Sequence, residues 1–128
     1  MFDHVGLTIR DPKTRAFYER ALAPLGVTVQ MEYGGWAGLG RDGKPSFWIG
    51  TGAPSYFGPG HEAAKSPLHF AFSAKSRAEV DAFHAAALAA GGRDHGGPGL
   101  RPEYHERYYG AFVIDPDGNN DEAVFHGG

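Results

Sequence analysis

The sequence predicts an α+β fold in which one strand and helix unit occurs twice along the chain. A β-favouring run followed by a helical pattern of apolar residues opens the chain at residue 3, and the same order restarts at residue 67. Both helical patterns carry the spaced residues Ala-Phe-x-x-x-Ala-Leu, at 16–22 and 82–88. Each preceding strand also has a histidine near its start, so we interpret the halves as a duplicated module.

The first module is predicted to run βαβββ. It begins with DHVGLTI, residues 3–9, in which apolar residues alternate and His4 lies on the other, less apolar face. Asp11 and Pro12 are typical of a helix start, and a helical pattern follows as far as Gly26. Short, turn-bounded runs rich in β-branched or aromatic residues then predict strands at 27–33, 36–40 and 46–50.

A segment rich in glycine and proline at about 51–66 lacks steady periodicity and is predicted to be a linker. We therefore expect one domain over 1–128, with a first module at about 1–54 and a second at about 66–128. A chain of 128 residues can bury a core without a disulfide or a structural metal. Any metal in this protein would therefore have a functional role.

The second module is predicted to repeat the order of the first. The run PLHFAFS predicts a strand with His69 near its start, and Ser76 with Glu79 forms a capping box for the helix that follows. A polar loop at 96–107 separates this helix from a predicted hairpin, YYGAFVI and NDEAVFH, whose turn is DPDGN. This arrangement places Glu122 in the last strand.

The composition narrows the class of partner. Apolar residues make up 41% of the chain, and the formal net charge is −3. The sequence contains no run of lysine and arginine of the kind that binds nucleic acid or an acidic membrane surface. We therefore expect a small-molecule substrate. The chain has no cysteine. Since the first residues lack the pattern of a signal peptide, we expect a cytoplasmic location.

Three residues far apart in the sequence are candidate metal ligands. If a pseudo-twofold axis relates the duplicated strands, His4 and His69 converge near that axis. Glu122 is the best third candidate, because a carboxylate in the middle of a terminal strand is costly without a partner. Two imidazoles and a carboxylate suit Fe, Mn, Zn or Ni ions and leave positions open for substrate. Each residue taken alone is equally compatible with a structural role.

The whole chain resembles the glyoxalase/bleomycin-resistance/dioxygenase superfamily, also called vicinal oxygen chelate proteins. The resemblance rests on the duplicated βαβββ order and on the motifs DHVGLTI, PLHFAF and YYGAFVIDPDGNNDEAVFH. It implies two βαβββ modules that form a half-open β-barrel with metal ligands on its inner face. His4, His69 and Glu122 fall at the ligand positions of the family.

The resemblance implies a divalent-metal-dependent enzyme of lyase, isomerase or dioxygenase type that acts on a small oxygen-chelating substrate. The alternative is a bleomycin-resistance-like protein that sequesters a ligand without metal catalysis. Glyoxalase I relatives usually carry a fourth ligand where SFWIG offers only Ser46, which argues against lactoylglutathione lyase activity. Members commonly pair, sometimes with exchanged modules, so we expect a homodimer.

Further site residues follow from their positions. If the turn before Glu122 has an even number of residues, Tyr109 shares the face of Glu122 and is the best donor beside it. His105 is a candidate acid or base in the polar loop. Four residues are candidates for substrate contact: Trp36, Trp48, Arg101 and Tyr104. Asp121 stands where the family usually has an apolar residue, so either its strand lies at a sheet edge or Asp121 has a polar partner.

Overall fold

The computed structural model describes residues 1–62 and 66–127. Within these residues the chain forms two mixed β-sheets and two α-helices, one sheet and one helix from each half. Residues 63–65 of the predicted linker and the last residue, 128, lie outside the described residues. Neither helix in the described part of the chain has the length and apolar character needed to span a membrane.

The first module forms a four-stranded sheet and confirms the predicted βαβββ order. Its elements are β1 (Val5–Thr8), α1 (Lys13–Leu22), a 3₁₀ turn (Ala23–Leu25), β2 (Thr28–Tyr33), β3 (Trp36–Arg41) and β4 (Lys44–Gly50). The sheet order is β1-β4-β3-β2, in which β1 runs parallel to β4 and the other neighbours are antiparallel. We call this the first sheet.

The second module forms the second sheet and repeats the topology with one change. Its elements are β5 (His69–Ser73), α2 (Arg77–Ala89), β6 (Arg93–Asp94), β7 (Gly99–Leu100), β8 (Tyr109–Ile114) and β9 (Asn120–Phe125). The strand that pairs with β8 is split into β6 and β7, whereas β2 is continuous. Pro98 lies in the gap, and proline has no N–H to donate to a ladder. The polar loop predicted at 96–107 therefore begins with a short strand.

A side chain caps the start of α2, whereas the segment before α1, whose N-cap residue is Pro12, is bound by a side chain of the other module. Ser76 Oγ accepts a hydrogen bond from the Glu79 amide at 3.1 Å, which confirms the predicted cap of α2. The start of α1 is bound from the other module, because Asp117 of the β8–β9 turn accepts hydrogen bonds from the amides of Arg10 and Asp11, both at 2.7 Å. The turn of the second module thus completes the helix start of the first.

One hydrophobic core joins the two modules. It lies between the helices and one face of each sheet, and it contains residues of both modules, among them Leu7, Phe17, Leu39, Phe83 and Val113. The other face of each sheet is turned away from the helices, as the exposed Gly6 and Thr8 of β1 illustrate. We call these two faces the open faces of the first and second sheets.

The core side of the second sheet contains buried acids. Asp121 is fully buried although β9 lies between β5 and β8, so its strand is not at an edge. The Tyr18 hydroxyl, from α1, lies between the carboxyl groups of Asp115 and Asp121, 3.1 Å from the latter. Burial raises the pKa of Asp121 to about 10, and hydrogen bonding to Asp115 acts in the same direction. Asp121 is therefore a neutral carboxylic acid at pH 7, with Tyr18 and Asp115 as polar partners.

Candidate metal and ligand site

A histidine and a glutamate meet on the open face of the second sheet. The parallel pairing of β5 with β9 brings His69 beside Asn120 and the buried Glu122. His69 Nε2 lies 3.2 Å from Glu122 Oε1, and His69 Nδ1 lies 3.0 Å from the backbone oxygen of Asn120. A carbonyl oxygen only accepts, so Nδ1 donates, and Nε2 of the neutral ring carries a lone pair. Because Nε2 and the carboxylate then face each other with lone pairs, a proton or a cation must lie between them.

The second carboxylate oxygen of Glu122 accepts a hydrogen bond from a tyrosine. Tyr108 donates its hydroxyl hydrogen to Glu122 Oε2. Burial and this hydrogen bond raise the pKa of Tyr108, so the phenol remains a donor at neutral pH. Gly110 leaves space for the contact, since a Cβ at this position would lie 3.0 Å from Oε2 and 3.2 Å from the Tyr108 ring. Sequence reasoning missed Tyr108.

The prediction that Tyr109 shares the face of Glu122 is wrong. The turn between β8 and β9 has five residues, 115–119, and Phe112 is the direct cross-strand partner of Glu122. An odd turn reverses the assumed parity, which places Tyr109 on the core side of the sheet. Its hydroxyl donates to Asp81 of α2 at 2.6 Å. The turn segment DPDGN has five residues, and this odd length is the signal in the sequence that places Tyr108, rather than Tyr109, on the face of Glu122.

A cavity of about 490 Å³ opens beside the carboxylate. It is lined by His69, Tyr104, Tyr108, Phe112, Asn120 and Glu122. The predicted contact residue Arg101 lies at its edge, with its guanidinium carbon 5.4 Å from the centre of the Phe112 ring. His105 lies behind Tyr108, and its Nε2 is 2.8 Å from His126 Nδ1. The polar loop therefore borders the cavity.

The third predicted ligand lies on the other sheet. His4 Nδ1 is 2.7 Å from Asp3 Oδ1, and the His4 side chain is 57% exposed. Hydrogen bonds from Lys44 and His4 lower the pKa of Asp3, so its carboxylate accepts from Nδ1 and leaves Nε2 of the neutral ring with a lone pair. Among residues 1–62 and 66–127, no three His, Cys, Asp or Glu side chains form a group that could hold a metal. The two imidazoles thus do not converge within one chain.

Trp36 and Trp48 lie on the open face of the first sheet, the face that His4 occupies by alternation with Gly6. The Trp48 ring covers Gly38, where a Cβ would be 2.9 Å from the ring. Neither tryptophan lines the cavity of the second sheet. The predicted site residues are therefore divided between two open faces, with an imidazole and two indoles on one.

The donors of the second sheet suit a divalent cation in their chemistry. A metal-binding histidine usually donates its second ring N–H to a carbonyl or carboxylate, as His69 does to Asn120 and His4 to Asp3. Imidazole and carboxylate together suit Mn, Fe, Zn or Ni ions. His69 and Glu122 supply two of these donors, and a third must come from outside this pair.

Comparisons with known proteins agree with the fold. The model of the Glyoxalase/Bleomycin resistance protein/Dioxygenase superfamily matches residues 1–122. A glyoxalase/bleomycin resistance protein from Albidiferax ferrireducens T118 is 31% identical, covers 98% of both chains and superposes with a TM-score of 0.77. The search of curated proteins found no significant match.

Two more distant structures share the fold. A glyoxalase-related enzyme from Fulvimarina pelagi is 21% identical over 94% of this chain and 84% of its own, with a TM-score of 0.67. A glyoxalase/bleomycin resistance protein/dioxygenase family enzyme from Burkholderia phytofirmans PsJN is 20% identical over 96% of both chains, with a TM-score of 0.68. The family match over nearly the whole length, together with the duplicated βαβββ fold, means that this chain belongs to the glyoxalase/bleomycin resistance protein/dioxygenase superfamily.

Proposed function

We propose that this protein is a divalent-metal-dependent enzyme, of lyase, isomerase or dioxygenase type, acting on a small oxygen-bearing substrate. The observation that carries the proposal is the position of His69 Nε2, 3.2 Å from Glu122 Oε1, while Nδ1 of the same ring lies 3.0 Å from the backbone oxygen of Asn120. When bound, a divalent ion supplies a Lewis acid that stabilises negative charge on a substrate oxygen. His69 and Glu122 would hold it in the second sheet.

The third ligand in this proposal is His4 of the partner subunit in a homodimer. His4 resembles His69 in that Nδ1 is occupied and Nε2 is available, and more than half of its side chain is exposed. The open face of the first sheet also carries Trp36 and Trp48, which would be covered by the open face of a second copy. A twofold dimer formed in this way creates two equivalent sites.

The residues around the carboxylate have separate roles in this proposal. Tyr108 orients Glu122 by donating to Oε2, which leaves Oε1 for the metal. Phe112 and Tyr104 form apolar walls of the cavity and reduce the access of water to the reacting oxygen. Arg101, at the rim, attracts a substrate that carries negative charge.

The test is metal binding by the intact protein. Calorimetric titration with Mn²⁺ and Zn²⁺ is expected to give about one ion per chain, with at least a tenfold loss of affinity in His4→Ala, His69→Ala and Glu122→Gln. His95→Ala removes an exposed histidine away from the cavity and is the matched control. A protein that cannot be loaded with Mn, Fe, Ni or Zn contradicts the proposal. Saturable, chelator-insensitive binding of an aromatic ligand would then favour the sequestering alternative.

A mixed dimer tests the source of the third ligand. His4→Ala and Glu122→Gln subunits with different affinity tags are co-expressed, and the mixed dimer is isolated through both tags. If His4 acts across the interface, one of the two sites has all its ligands, and the mixed dimer binds about half of the wild-type metal. If each site belongs to one chain, both sites are defective and the mixed dimer binds none. A monomer by light scattering would also contradict this arrangement.

A further inference from the structure

A pair of histidines ties the loop at 101–107 to the end of β9. His105 Nε2 lies 2.8 Å from His126 Nδ1, and the two rings are stacked with their centroids 5.1 Å apart. Tyr108 packs edge-on against both rings, at 5.1 Å from His126 and 5.4 Å from His105. Within the described parts of the chain, no other hydrogen bond joins the loop tip, 102–107, to a residue beyond 101–108.

The hydrogen bonds determine the position of the proton on each ring. The backbone N–H of Arg107 donates to His105 Nδ1 at 3.0 Å, so this nitrogen carries a lone pair. The neutral His105 ring then has its proton on Nε2, which donates to the lone pair of His126 Nδ1. Both acceptor nitrogens of the pair are occupied. A further proton on either ring must therefore displace one of the two hydrogen bonds.

We propose that His126 is a positioning residue that, through His105, holds Tyr104 and Tyr108 over the cavity, and does so only while His126 Nδ1 is free to accept the hydrogen bond from His105. Tyr104 and Tyr108 line the cavity and contact each other with ring centroids 4.8 Å apart. Loss of the hydrogen bond between His105 and His126 releases the loop tip. The two ends of the loop stay together, because the Arg101 backbone N–H donates to the backbone oxygen of Tyr108 at 2.8 Å. The inference rests on the proposed function only in taking this cavity as the ligand site.

The aromatic side chains next to the pair are phenols. Tyr108, just before β8, packs against both imidazoles, and Tyr104, in the loop, packs against Tyr108. The charged side chains of the loop tip are exposed: Glu103, Glu106 and Arg107. Among residues 1–62 and 66–127, neither imidazole of the pair forms an ion pair with a carboxylate, in contrast to His84, which lies 2.9 Å from Asp94. A proton on His126 Nδ1 therefore breaks the contact between the rings, a proton on His105 Nδ1 releases the Arg107 amide, and neither gains a carboxylate partner among the described residues.

The test is amide hydrogen exchange in chelator-treated protein. Exchange is measured at Tyr104 and Tyr108, whose amides donate within the loop at 3.0 Å and 3.2 Å. Wild type is compared with His126→Gln, which keeps a side-chain acceptor that does not titrate, and with His126→Ala, which removes it. In wild type, protection corrected for intrinsic exchange is expected to fall about tenfold between about pH 8 and about pH 5, as histidine ordinarily gains its proton. Imidazole ¹⁵N shifts report the tautomers directly.

The two His126 variants are expected to separate the effect of the hydrogen bond from His105 from the effect of a proton on His126. His126→Gln should keep the protection at both pH values, and His126→Ala should lose it at both. The proposal is overturned if wild-type protection does not change with pH, or if the glutamine variant loses it as wild type does. It is also overturned if His105 does not have its proton on Nε2 at pH 8. Because no metal is present, failure of metal binding leaves these outcomes unchanged.

Discussion

The two sheets share a topology but differ in where they place titratable groups. The first sheet turns an apolar face to the helices and carries a single exposed imidazole, His4, at its open face. The second sheet holds carboxyl groups on both sides: Glu122 at the open face, and Asp115 and Asp121 toward the core. A duplicated module can therefore keep its strand order while, among the described residues, only one copy has buried carboxyl groups. The cavity beside Glu122 is lined by residues of that same copy.

The largest expected effect concerns the core side of the second sheet. The native state holds a proton on Asp121, because burial raises its pKa to about 10, whereas the unfolded chain releases this proton near the ordinary value of 3.8. The free energy of unfolding should therefore fall as pH rises between these values, by about 1.4 kcal/mol per pH unit. Asp121→Asn keeps a donor and does not titrate, so urea unfolding should show a flatter pH dependence and greater stability at pH 8.

The control for this prediction is Asp94→Asn. Asp94 is exposed, and hydrogen bonds from His84 and the Gly96 amide lower its pKa, so it is ionised throughout the same range. Because the substitution also removes the carboxylate partner of His84, the control is read between about pH 8 and about pH 9, above the ordinary range of histidine. The slope of stability there should be unchanged. Equal slopes for wild type and Asp121→Asn would mean that Asp121 is ionised in the native protein.

The next effect compares a glycine beside Glu122 with one that follows β4. Gly110→Ala adds a Cβ within 3.0 Å of Glu122 Oε2, whereas Gly52→Ala adds one with no atom within 4 Å. We expect Gly110→Ala to weaken Mn²⁺ binding by about tenfold to hundredfold, because it displaces the carboxylate or Tyr108. Gly52→Ala should bind as wild type does. Equal affinities in the two variants would mean that the geometry around Glu122 does not control metal binding.

The smallest effect distinguishes two neighbouring tyrosines. Tyr108→Phe removes the donor to Glu122 and is expected to weaken Mn²⁺ binding by about tenfold. Tyr109→Phe removes the hydrogen bond to Asp81 on the opposite side of the sheet, so it should leave the metal affinity unchanged and cost at most about 1 kcal/mol of stability. A reversed result would place Tyr109 at the ligand site after all.

The sequence predicted the elements well because their signals are local. Alternating apolar residues identified β1, and turn-bounded runs rich in β-branched or aromatic residues identified β2, β3 and β4. The capping box at Ser76 and Glu79 has the predicted hydrogen bond. Strands of two residues, such as β7, carry too few side chains for a period to be detected. The choice between Tyr108 and Tyr109 depended on one residue of turn length, which reverses the face of every side chain in the strand.

The candidate site was only partly predictable from the sequence. The adjacency of His69 and Glu122 follows from one parallel strand pair, so two motif positions were enough to predict it. The position of His4 depends on how two sheets sit relative to each other, and no periodicity within a strand encodes that. The tautomer of His69 depends on the backbone oxygen of Asn120, which lies 3.0 Å from Nδ1 in the folded protein. No pattern in the sequence predicts that contact.

The contact of Asp117 with the start of α1 has a consequence for the history of the chain. A fragment that ended before the second module would leave the amides of Arg10 and Asp11 without their carboxylate acceptor. An ancestor with a single module had to obtain that acceptor from another molecule or do without it. In the present chain the modules also share one hydrophobic core, so a separated half would expose apolar side chains together with these amides.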